Sequence, residues 1–281
     1  MKVIGHMQIC QPVDEAFTVP DVTPSSHPNP EDDLISRAAK IPNLQYRSNC
    51  LLDQQQDTKR TDVEDLLCSA RALDREMGDW ARTVPTTWSY SAALSLDGPA
   101  STNCKFTPGQ VHRYQDFYAA RVWNVYRVSR LIVQSVLIRA TSWLSTLVED
   151  SGDSIERKKA EGNSMELVND ICASVPFLLG HDLSRIKLPA TSTRAGSGKK
   201  KEANRPAFDE HGGQAHTGRF SLIWPLHIAC SSVWVPEAQR DWMRMQLRCL
   251  AERGESLAHF AYLTRSQILL GRADGVRFNC V

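Results

Sequence analysis

The stretch FYAARVWNVYRVSRLI, residues 117–132, carries the strongest structural signal in this 281-residue chain. It is the middle of a longer segment after Pro108 in which apolar residues recur at steps of three and four, as on one face of a helix. The positions of that series are Val111, Tyr114, Tyr118, Val122, Val125, Val128, Ile132 and Val136. We expect one helix of about seven turns whose apolar stripe faces a core.

Three arginines, Arg121, Arg127 and Arg130, interrupt this aromatic segment. Arginine and aromatic side chains together form the usual platform on which single-stranded nucleic acid stacks its bases. The aromatics here fall on or beside the apolar stripe, however, and an arginine stem lies along such a stripe while its charged head stays in water. We therefore favour packing over base stacking for this segment.

A second apolar stripe precedes this segment and predicts a core-facing helix. We place its start at Thr61, where Glu64 three residues later completes a capping-box pattern, and its end before Pro85. Its apolar positions are Val63, Leu66, Leu67, Ala70, Leu73, Met77 and Trp80. In the polar connection that follows, Trp88 and Tyr90 are expected to pack against the core.

Helical patterns also follow the central segment, after a charged break at residues 149–163. A helix from Ser164 to Leu179 is expected to kink or end at Pro176, with Gly180 as its C-terminal cap. The remaining expected helices are a buried one over residues 219–234 kinked at Pro225, one from Pro236 to before Gly254, and one from Ser256 to Leu270. No run of alternating apolar and polar residues is long enough for a sheet, so the sequence predicts an all-α fold.

Composition divides the chain into a leader and one helical body. Between Val3 and Ser36 there is no lysine or arginine, and six acidic residues accompany five prolines. Such a segment buries too little apolar surface to offset its ordering entropy, so residues 1–36 are predicted to be a disordered acidic leader. Residues 37–281 are predicted to form a single irregular multi-helix domain, interrupted by a long, disordered, basic loop at residues 183–218.

Charge and cysteine spacing exclude several classes of protein. The 33 Lys and Arg residues against 32 Asp and Glu residues leave a net charge of +1, which removes bulk electrostatic attraction to nucleic acid. The eight cysteines are at least 18 residues apart, whereas zinc fingers and zinc clusters need thiolate pairs only a few residues apart. We expect reduced, buried cysteines inside a cell, with no metal and no cofactor. The longest uncharged run, residues 220–236, contains two prolines and predicts no membrane span.

No catalytic motif is complete in the sequence. The run GSGK at residues 196–199 lacks the earlier glycine and the following Ser or Thr of a phosphate-binding loop. His211 and His216 lie in the predicted loop without a cysteine or carboxylate at ligand spacing. The sequence contains neither a nucleophile elbow nor an H-E-x-x-H zinc site, so we expect no enzyme activity.

Two basic groups are candidates for binding. They are Lys199, Lys200 and Lys201 in the predicted loop, and Arg240, Arg244 and Arg248 on one face of a predicted helix. The lysine run fits a nuclear-import signal or a phosphate-contacting patch, although a solvated loop segment is the simpler interpretation. The arginine row fits phosphate contacts, but acidic residues at pairing distance along the same helix favour an internally compensated surface.

Three aromatic-rich stretches occur in a specific order. They are ARALDREMGDWARTVPTTWSY at residues 70–90, QDFYAARVWNVYRVSRLIVQSVL at 115–137, and SVPFLLG at 174–180 followed after an insertion by GRFSLIWPLHIAC at 218–230. In that order and spacing they resemble the C-terminal helical regulatory region of fungal binuclear zinc-cluster transcription factors, over about residues 35–272. We assign to packing the residues that carry this resemblance, namely Trp80, Trp88, Trp123, Tyr126, Arg127, Pro176, Gly180, Trp224 and Pro225.

The resemblance implies a fungal, nuclear protein with a helical scaffold that regulates transcription. In that family an N-terminal cluster of six cysteines holds two zinc ions, and this zinc cluster binds DNA. None of the eight cysteines here matches that pattern. We therefore expect a protein that lacks its own DNA-binding module. It is either a truncated zinc-cluster protein, the product of a gene with a wrongly assigned start, or a regulator that acts through protein contacts. It would act through protein partners, among them a related transcription factor, with no direct DNA binding and no membrane contact.

Two other classes of protein remain open at this point. A helical scaffold for protein–protein interaction would need no transcriptional role, and a fixed internal repeat would support it, but none is evident. An α-helical isoprenoid-type enzyme would need aspartates lining a helical cavity, and magnesium-dependent turnover would revive that reading.

Overall fold

A computed structural model describes residues 29–53, 58–94, 106–147, 151–181, 183 and 213–264. Within these ranges the fold is all-α, with eight helices and one small antiparallel sheet. The helices are α1 Pro30–Ala38, α2 Ile41–Asp53, α3 Arg60–Thr83, α4 Phe117–Ser145, α5 Ser151–Leu178, α6 Gly213–Ala229, α7 Glu237–Glu252 and α8 Ser256–Leu263. The strands are β1 Ser91–Leu94 and β2 Gln110–Arg113, preceded by a short 3-10 helix at Thr86–Trp88.

Helix α4 is the central element of this arrangement. Of its 29 residues 21 are buried, because α5 packs along it most extensively and α2, α3 and α6 cover its other sides. A helix surrounded in this way is apolar nearly all round. The segment with the strongest sequence signal is therefore the core of the fold, as predicted, except that Tyr118 of its stripe is exposed.

The start of α4 differs from the prediction. Val111 lies in strand β2 and Tyr114 in the turn after it, and both are buried although neither is helical. The Asp116 side chain accepts a hydrogen bond of 2.7 Å from the Ala119 backbone N–H and caps the helix. The predicted helix starts three to six residues too early because two buried residues before the helix, Val111 and Tyr114, continue its spacing.

The acidic leader was predicted to extend to residue 36, and this boundary is wrong. Asn29 accepts a hydrogen bond from the Glu31 backbone N–H, Pro30 occupies the first turn, and helix α1 begins there. Three acidic residues in the first turn suit the positive end of the helix dipole, and Leu34 is fully buried. Residues 1–28 lie outside the described part of the chain.

Helix α3 confirms the predicted stripe in full, since all seven of its apolar positions are buried and it ends before Pro85. Its predicted capping box is wrong. The helix begins at Arg60 after Lys59, and no side chain caps it. Glu64 instead accepts a hydrogen bond of 2.6 Å from Arg60 Nε one turn earlier.

The predicted charged break before α5 is also wrong, because this helix begins at Ser151. Its charged residues stand at helical pairing distance, as with Arg157 and Glu161, while Ala160 and Ser164 face the core. Pro176 lies inside the helix, which ends two residues later.

The end of α5 confirms the predicted glycine cap. Gly180 has a φ of 73°, a left-handed conformation that glycine adopts without a Cβ clash. The N–H groups of Gly180 and His181 donate to the carbonyls of Phe177 and Pro176, which is the hydrogen-bond pattern of a Schellman cap.

The last three helices depart from their predicted bounds. Residues 213–218, assigned to the basic loop, form the first turns of α6, and that helix ends at Ala229 rather than at residue 234. Pro225 lies inside α6, and Pro236 immediately precedes α7, as expected. Helix α8 ends at Leu263, and residues 265–270 of the predicted helix lie outside the described chain.

The predicted absence of any sheet is wrong in one detail. Strands β1 and β2 pair from Ser91 with Arg113 to Leu94 with Gln110 and form a short hairpin. Four residues per strand are too few for the alternation of a sheet to stand out in a sequence. In the part of the chain described by the structure, no helix is long and apolar enough to cross a membrane.

Candidate functional site

An aromatic cluster joins α3 to α4. The Trp80 ring lies 5.3 Å from that of Trp123 and 5.2 Å from that of Tyr126, between ring centroids. The indole N–H groups are also satisfied, since Trp80 donates to the Pro30 carbonyl at 2.8 Å and Trp123 donates to the Trp88 carbonyl at 2.7 Å. The cluster thus ties α1 and the 3-10 helix to the core, which supports the assignment of these residues to packing.

Arg127 departs from the expectation that its charged head stays in water, because its side chain is 0% exposed. Its Nη1 donates to the Tyr114 hydroxyl at 2.6 Å and to Asn124 Oδ1 at 2.9 Å. Its Nη2 lies 3.2 Å from His112 Nδ1. We call Arg127 together with Tyr90, His112, Tyr114, Asn124 and Asp170 the Arg127 cluster.

The negative charge of this cluster comes from Asp170 on α5, whose side chain is 35% exposed. Its Oδ2 lies 3.6 Å from Arg127 Nε and accepts a hydrogen bond of 3.2 Å from the Tyr90 hydroxyl. The Arg127 guanidinium also lies over the Tyr90 ring, 4.9 Å from its centroid. A buried cation therefore has a carboxylate, two aromatic hydroxyls and an amide around it, as a buried charge requires.

Histidine 112 is neutral in this arrangement. An arginine only donates, so the Nδ1 of His112 beside it accepts, and the ring proton is on Nε2, which faces Asp170 Oδ1 at 3.7 Å. Burial, and then the charge of Arg127, lower the pKa of His112 to about 3. The protonated form is absent at neutral pH.

Tyr114 and Arg127 also have pKa values shifted away from neutrality. Burial raises the pKa of Tyr114, so its hydroxyl stays protonated. Burial opposes the charge of Arg127, but its neighbours Tyr114, Asp170 and Tyr90 raise its pKa overall. A general acid or base works best with a pKa near the operating pH. The pKa values of His112, Tyr114 and Arg127 are far from neutral pH. The contacts of the cluster hold the β-hairpin against α4 and α5.

A cleft of about 270 Å³ opens beside the start of α4. It is lined by Asp116, Phe117, Tyr118, Arg121, Thr217 and Ser221. Asp116 is engaged as the helix cap, and Arg121 donates to Glu31 Oε1 at 2.7 Å. Both charged groups of the cleft are therefore already paired within the protein.

The arginine row on α7 is compensated at two of its three positions, as expected. Arg244 Nη1 lies 3.4 Å from Asp241 Oδ1, and Arg248 Nε lies 2.9 Å from Glu252 Oε1. Arg240 is partly buried. A surface of paired charges attracts phosphate weakly, which favours the structural interpretation of this row.

Several predicted residues lie outside the described chain. They are the GSGK run at 196–199, the candidate import run Lys199, Lys200 and Lys201, and His211, while of His216 only the backbone is described. Within the described ranges, no group of three or more His, Cys, Asp or Glu residues is placed to hold a metal ion.

The described cysteines are all free. Cys172 and Cys230 are buried as expected, and burial raises the pKa of both thiols, to about 12 for Cys172. Cys68 and Cys249 are exposed, so the expectation of buried cysteines is wrong for these two. Both lie on helical faces that point away from the core.

The sequence contained one unused signal for the Arg127 cluster. Asn124 and Arg127 are polar residues three apart in the apolar-rich segment 117–132, and Asp170 and Ser174 are polar residues four apart on α5. In the structure Asn124 Nδ2 donates to Ser174 Oγ at 2.9 Å, so the two polar pairs face each other. Polar residues at core spacing on two helices indicate a buried polar contact between them.

Comparison with known proteins supports one functional class. The chain is 32% identical over 189 residues to the transcription factor dbaG of Emericella nidulans, a match that covers 66% of this chain and 39% of that protein. The chain thus spans about two fifths of the length of the curated relative it matches. No family model matches the chain, and no solved structure matches it. About two thirds of this helical chain is therefore similar to a fungal transcription factor.

Proposed function

We propose that the chain is a regulatory helical region of the fungal zinc-cluster transcription-factor type, and that it regulates transcription in the nucleus through protein contacts. The observation that carries this proposal is the 32% identity to a fungal transcription factor over 189 residues. A match of 189 residues is much longer than the 29-residue aromatic helix α4, so the similarity does not come from that helix alone. The all-α scaffold agrees with a region that presents surfaces rather than an active site.

In this proposal the 281 residues do not bind DNA by themselves. A binuclear zinc cluster needs closely spaced cysteines, and the cysteines here are at least 18 residues apart. The arginine row of α7, the most regular basic feature among the described helices, is paired with acidic neighbours at Arg244 and Arg248. The net charge of +1 adds no general attraction to phosphate.

The partner in this proposal is another protein, such as a related transcription factor that supplies DNA contact. Lys199, Lys200 and Lys201 would serve nuclear import, because a short basic run on a polar segment suits recognition by an import receptor. Replacement of all three lysines by glutamine is expected to shift a fluorescently tagged chain from the nucleus to the cytoplasm. Unchanged nuclear accumulation would remove that role from the run.

Zinc content and DNA binding test the absence of a DNA-reading module. We expect the purified chain to contain less than stoichiometric zinc by elemental analysis. In fluorescence anisotropy it should bind a randomised duplex only weakly and with no sequence preference. Two zinc ions per chain, or tight binding to one sequence selected from the random pool, would contradict the proposal.

A scaffold without a transcriptional role is the competing function. It shares the fold and the protein contacts, so neither zinc nor DNA binding separates the two. A reporter gene does, because only a transcriptional regulator changes its expression when brought to a promoter.

A further inference from the structure

The outer face of α8 is apolar and exposed. Leu257, Phe260 and Leu263 are 57%, 65% and 65% exposed, and they stand three residues apart. Successive steps of three place them along one stripe of a helix. Large apolar side chains scattered singly are ordinary on a protein surface, whereas a stripe of three on one short helix is not.

The inner face of the same helix is buried. Ala258 and Ala261 contact the core, and the Ala261 carbonyl lies 3.0 Å from His227 Nδ1 on α6. Helix α8 is thus apolar on both sides, which is typical of a helix covered on both sides. The described residues leave Leu257, Phe260 and Leu263 more than half exposed.

The size of the stripe argues for a short covering segment. Three large side chains, each more than half exposed, present on the order of 300 Å² of apolar surface. A stable contact between two protein copies buries about 800 Å² on each partner. The stripe alone is too small for a dimer but matches a few residues of extended chain.

The chain that follows α8 has an apolar run within reach of the stripe. Thr264 ends the helix with φ −111° and ψ 163°, which is extended backbone, so the chain leaves the helix axis there. Arg265, Ser266 and Gln267 are polar and suit a reversal, and Ile268, Leu269 and Leu270 follow as an apolar run.

The lengths also agree. The stripe from residue 257 to residue 263 measures about 9 Å along the helix axis, at about 1.5 Å per residue. Three extended residues span about 10 Å. Side chains of an extended segment alternate between its two sides, so in an extended conformation positions 268 and 270 would share one side and position 269 would lie on the other.

In place of the predicted continuation of the helix to Leu270, we propose that residues 268–270 fold back antiparallel along α8. They would cover its outer face, with Ile268 and Leu270 against the stripe of Leu257, Phe260 and Leu263. Leu269 faces away from the helix. The contact is intramolecular, so the tether of only a few residues keeps the segment at high local concentration beside the stripe.

Amide hydrogen exchange of the full chain tests this fold-back. The double variant Ile268→Ser/Leu270→Ser is expected to exchange the amides of residues 258–264 on the order of tenfold faster than the wild type. The single variant Leu269→Ser, next to them in sequence and equal in chemistry, should change those rates by less than about twofold. The amides of α4 report whether the core stays folded, and Ile268→Ala/Leu270→Ala replaces the double variant if they lose protection.

Three results would overturn the fold-back. One is a double variant that exchanges α8 amides at the wild-type rate while α4 stays protected. Another is a Leu269→Ser variant that accelerates exchange as much as the double variant does. The third is α8 protection that rises with protein concentration together with a dimer in light scattering, which would make a second copy the occupant of the stripe.

Discussion

Helices α4 and α8 each contain a side chain whose burial is unusual for its type. At the centre of the fold, α4 buries the charge of Arg127, and near the end of the described chain α8 exposes Phe260 and its neighbours. The charge in α4 is surrounded by specific partners on α5 and the hairpin. The apolar stripe of α8 has no such surroundings among the described residues. The buried charge of α4 thus has partners within the described chain, whereas the apolar stripe of α8 stays exposed.

The largest expected effect comes from the interior. Arg127→Leu would leave the Tyr114 hydroxyl, Asn124 Oδ1 and Asp170 without their cation, so we expect a loss of about 3–5 kcal/mol in the free energy of unfolding. The matched control Arg82→Leu changes an exposed arginine paired only with Asp79 and should stay within about 0.5 kcal/mol. Urea unfolding measures both. Equal stability of the two variants would mean that the Arg127 cluster does not hold the hairpin in place.

The pH dependence of stability examines the same cluster through His112. Its pKa is about 3 in the folded protein and about 6.5 when unfolded, so between these values the unfolded chain binds the additional proton. Stability is therefore full above pH 6.5 and is lost as the pH falls toward 3. The slope approaches about 1.4 kcal/mol per pH unit, or about 2 kcal/mol between pH 6.5 and pH 5.

A His112→Gln variant isolates this contribution from those of the other titrating groups. Its stability should fall by about 2 kcal/mol less than that of the wild type over the same pH interval. The control His259→Gln replaces an exposed histidine of α8 that lies outside the Arg127 cluster. Urea unfolding at pH 6.5 and pH 5 gives the comparison, and parallel curves for all three proteins would show that His112 is solvated rather than buried.

A pair of glycines compares interior and surface on a smaller scale. A Cβ at Gly218 would lie 2.5 Å from the Leu178 carbonyl oxygen and 3.0 Å from the Phe117 ring, so Gly218→Ala should cost about 1–2 kcal/mol. A Cβ at Gly162, on the exposed side of α5, meets nothing within 4 Å, so Gly162→Ala should stabilise by up to about 1 kcal/mol. Opposite signs in thermal unfolding are the expected outcome. A shift of the same sign for both would show that α6 does not pack closely on the end of α5.

The smallest effect is expected at the paired surface of α7. Arg248 and Glu252 are both more than half exposed, so Arg248→Gln should leave the melting temperature unchanged within error. The same variant should leave the weak, nonspecific affinity for duplex DNA unchanged at low salt. A clear loss of DNA affinity would indicate that the arginine row binds phosphate.

What the sequence predicted depended on whether the signal was local. The seven apolar positions of α3 follow from helical periodicity alone, and all are buried. The charges at residues 149–163 predict a break between helices, yet the helix begins at Ser151. Charged residues one turn apart form the exposed face of a helix and do not end it. Helix α1 was missed because average composition hid the Asn29 cap and the two buried residues, Leu34 and Ala38.

The Arg127 cluster was out of reach for a different reason. Its members Tyr90, His112 and Tyr114 come from a hairpin, and Asp170 from α5, at sequence distances that no local pattern connects. Spacing does predict that Arg127 lies beside the apolar stripe. Whether the guanidinium reaches water or a buried partner is decided by tertiary packing, because α5 and the hairpin close over the position where solvent would be.

Recruitment to a promoter tests the proposed function most directly. The full chain, fused to an unrelated DNA-binding domain in a fungal host, is compared with that domain alone on a reporter gene that carries its sites. The proposed function predicts a several-fold change in reporter expression for the wild type and the Arg82→Leu control, and a loss of that change for Arg127→Leu. Expression equal to that of the DNA-binding domain alone, with the fusion folded and nuclear, would contradict a transcriptional role.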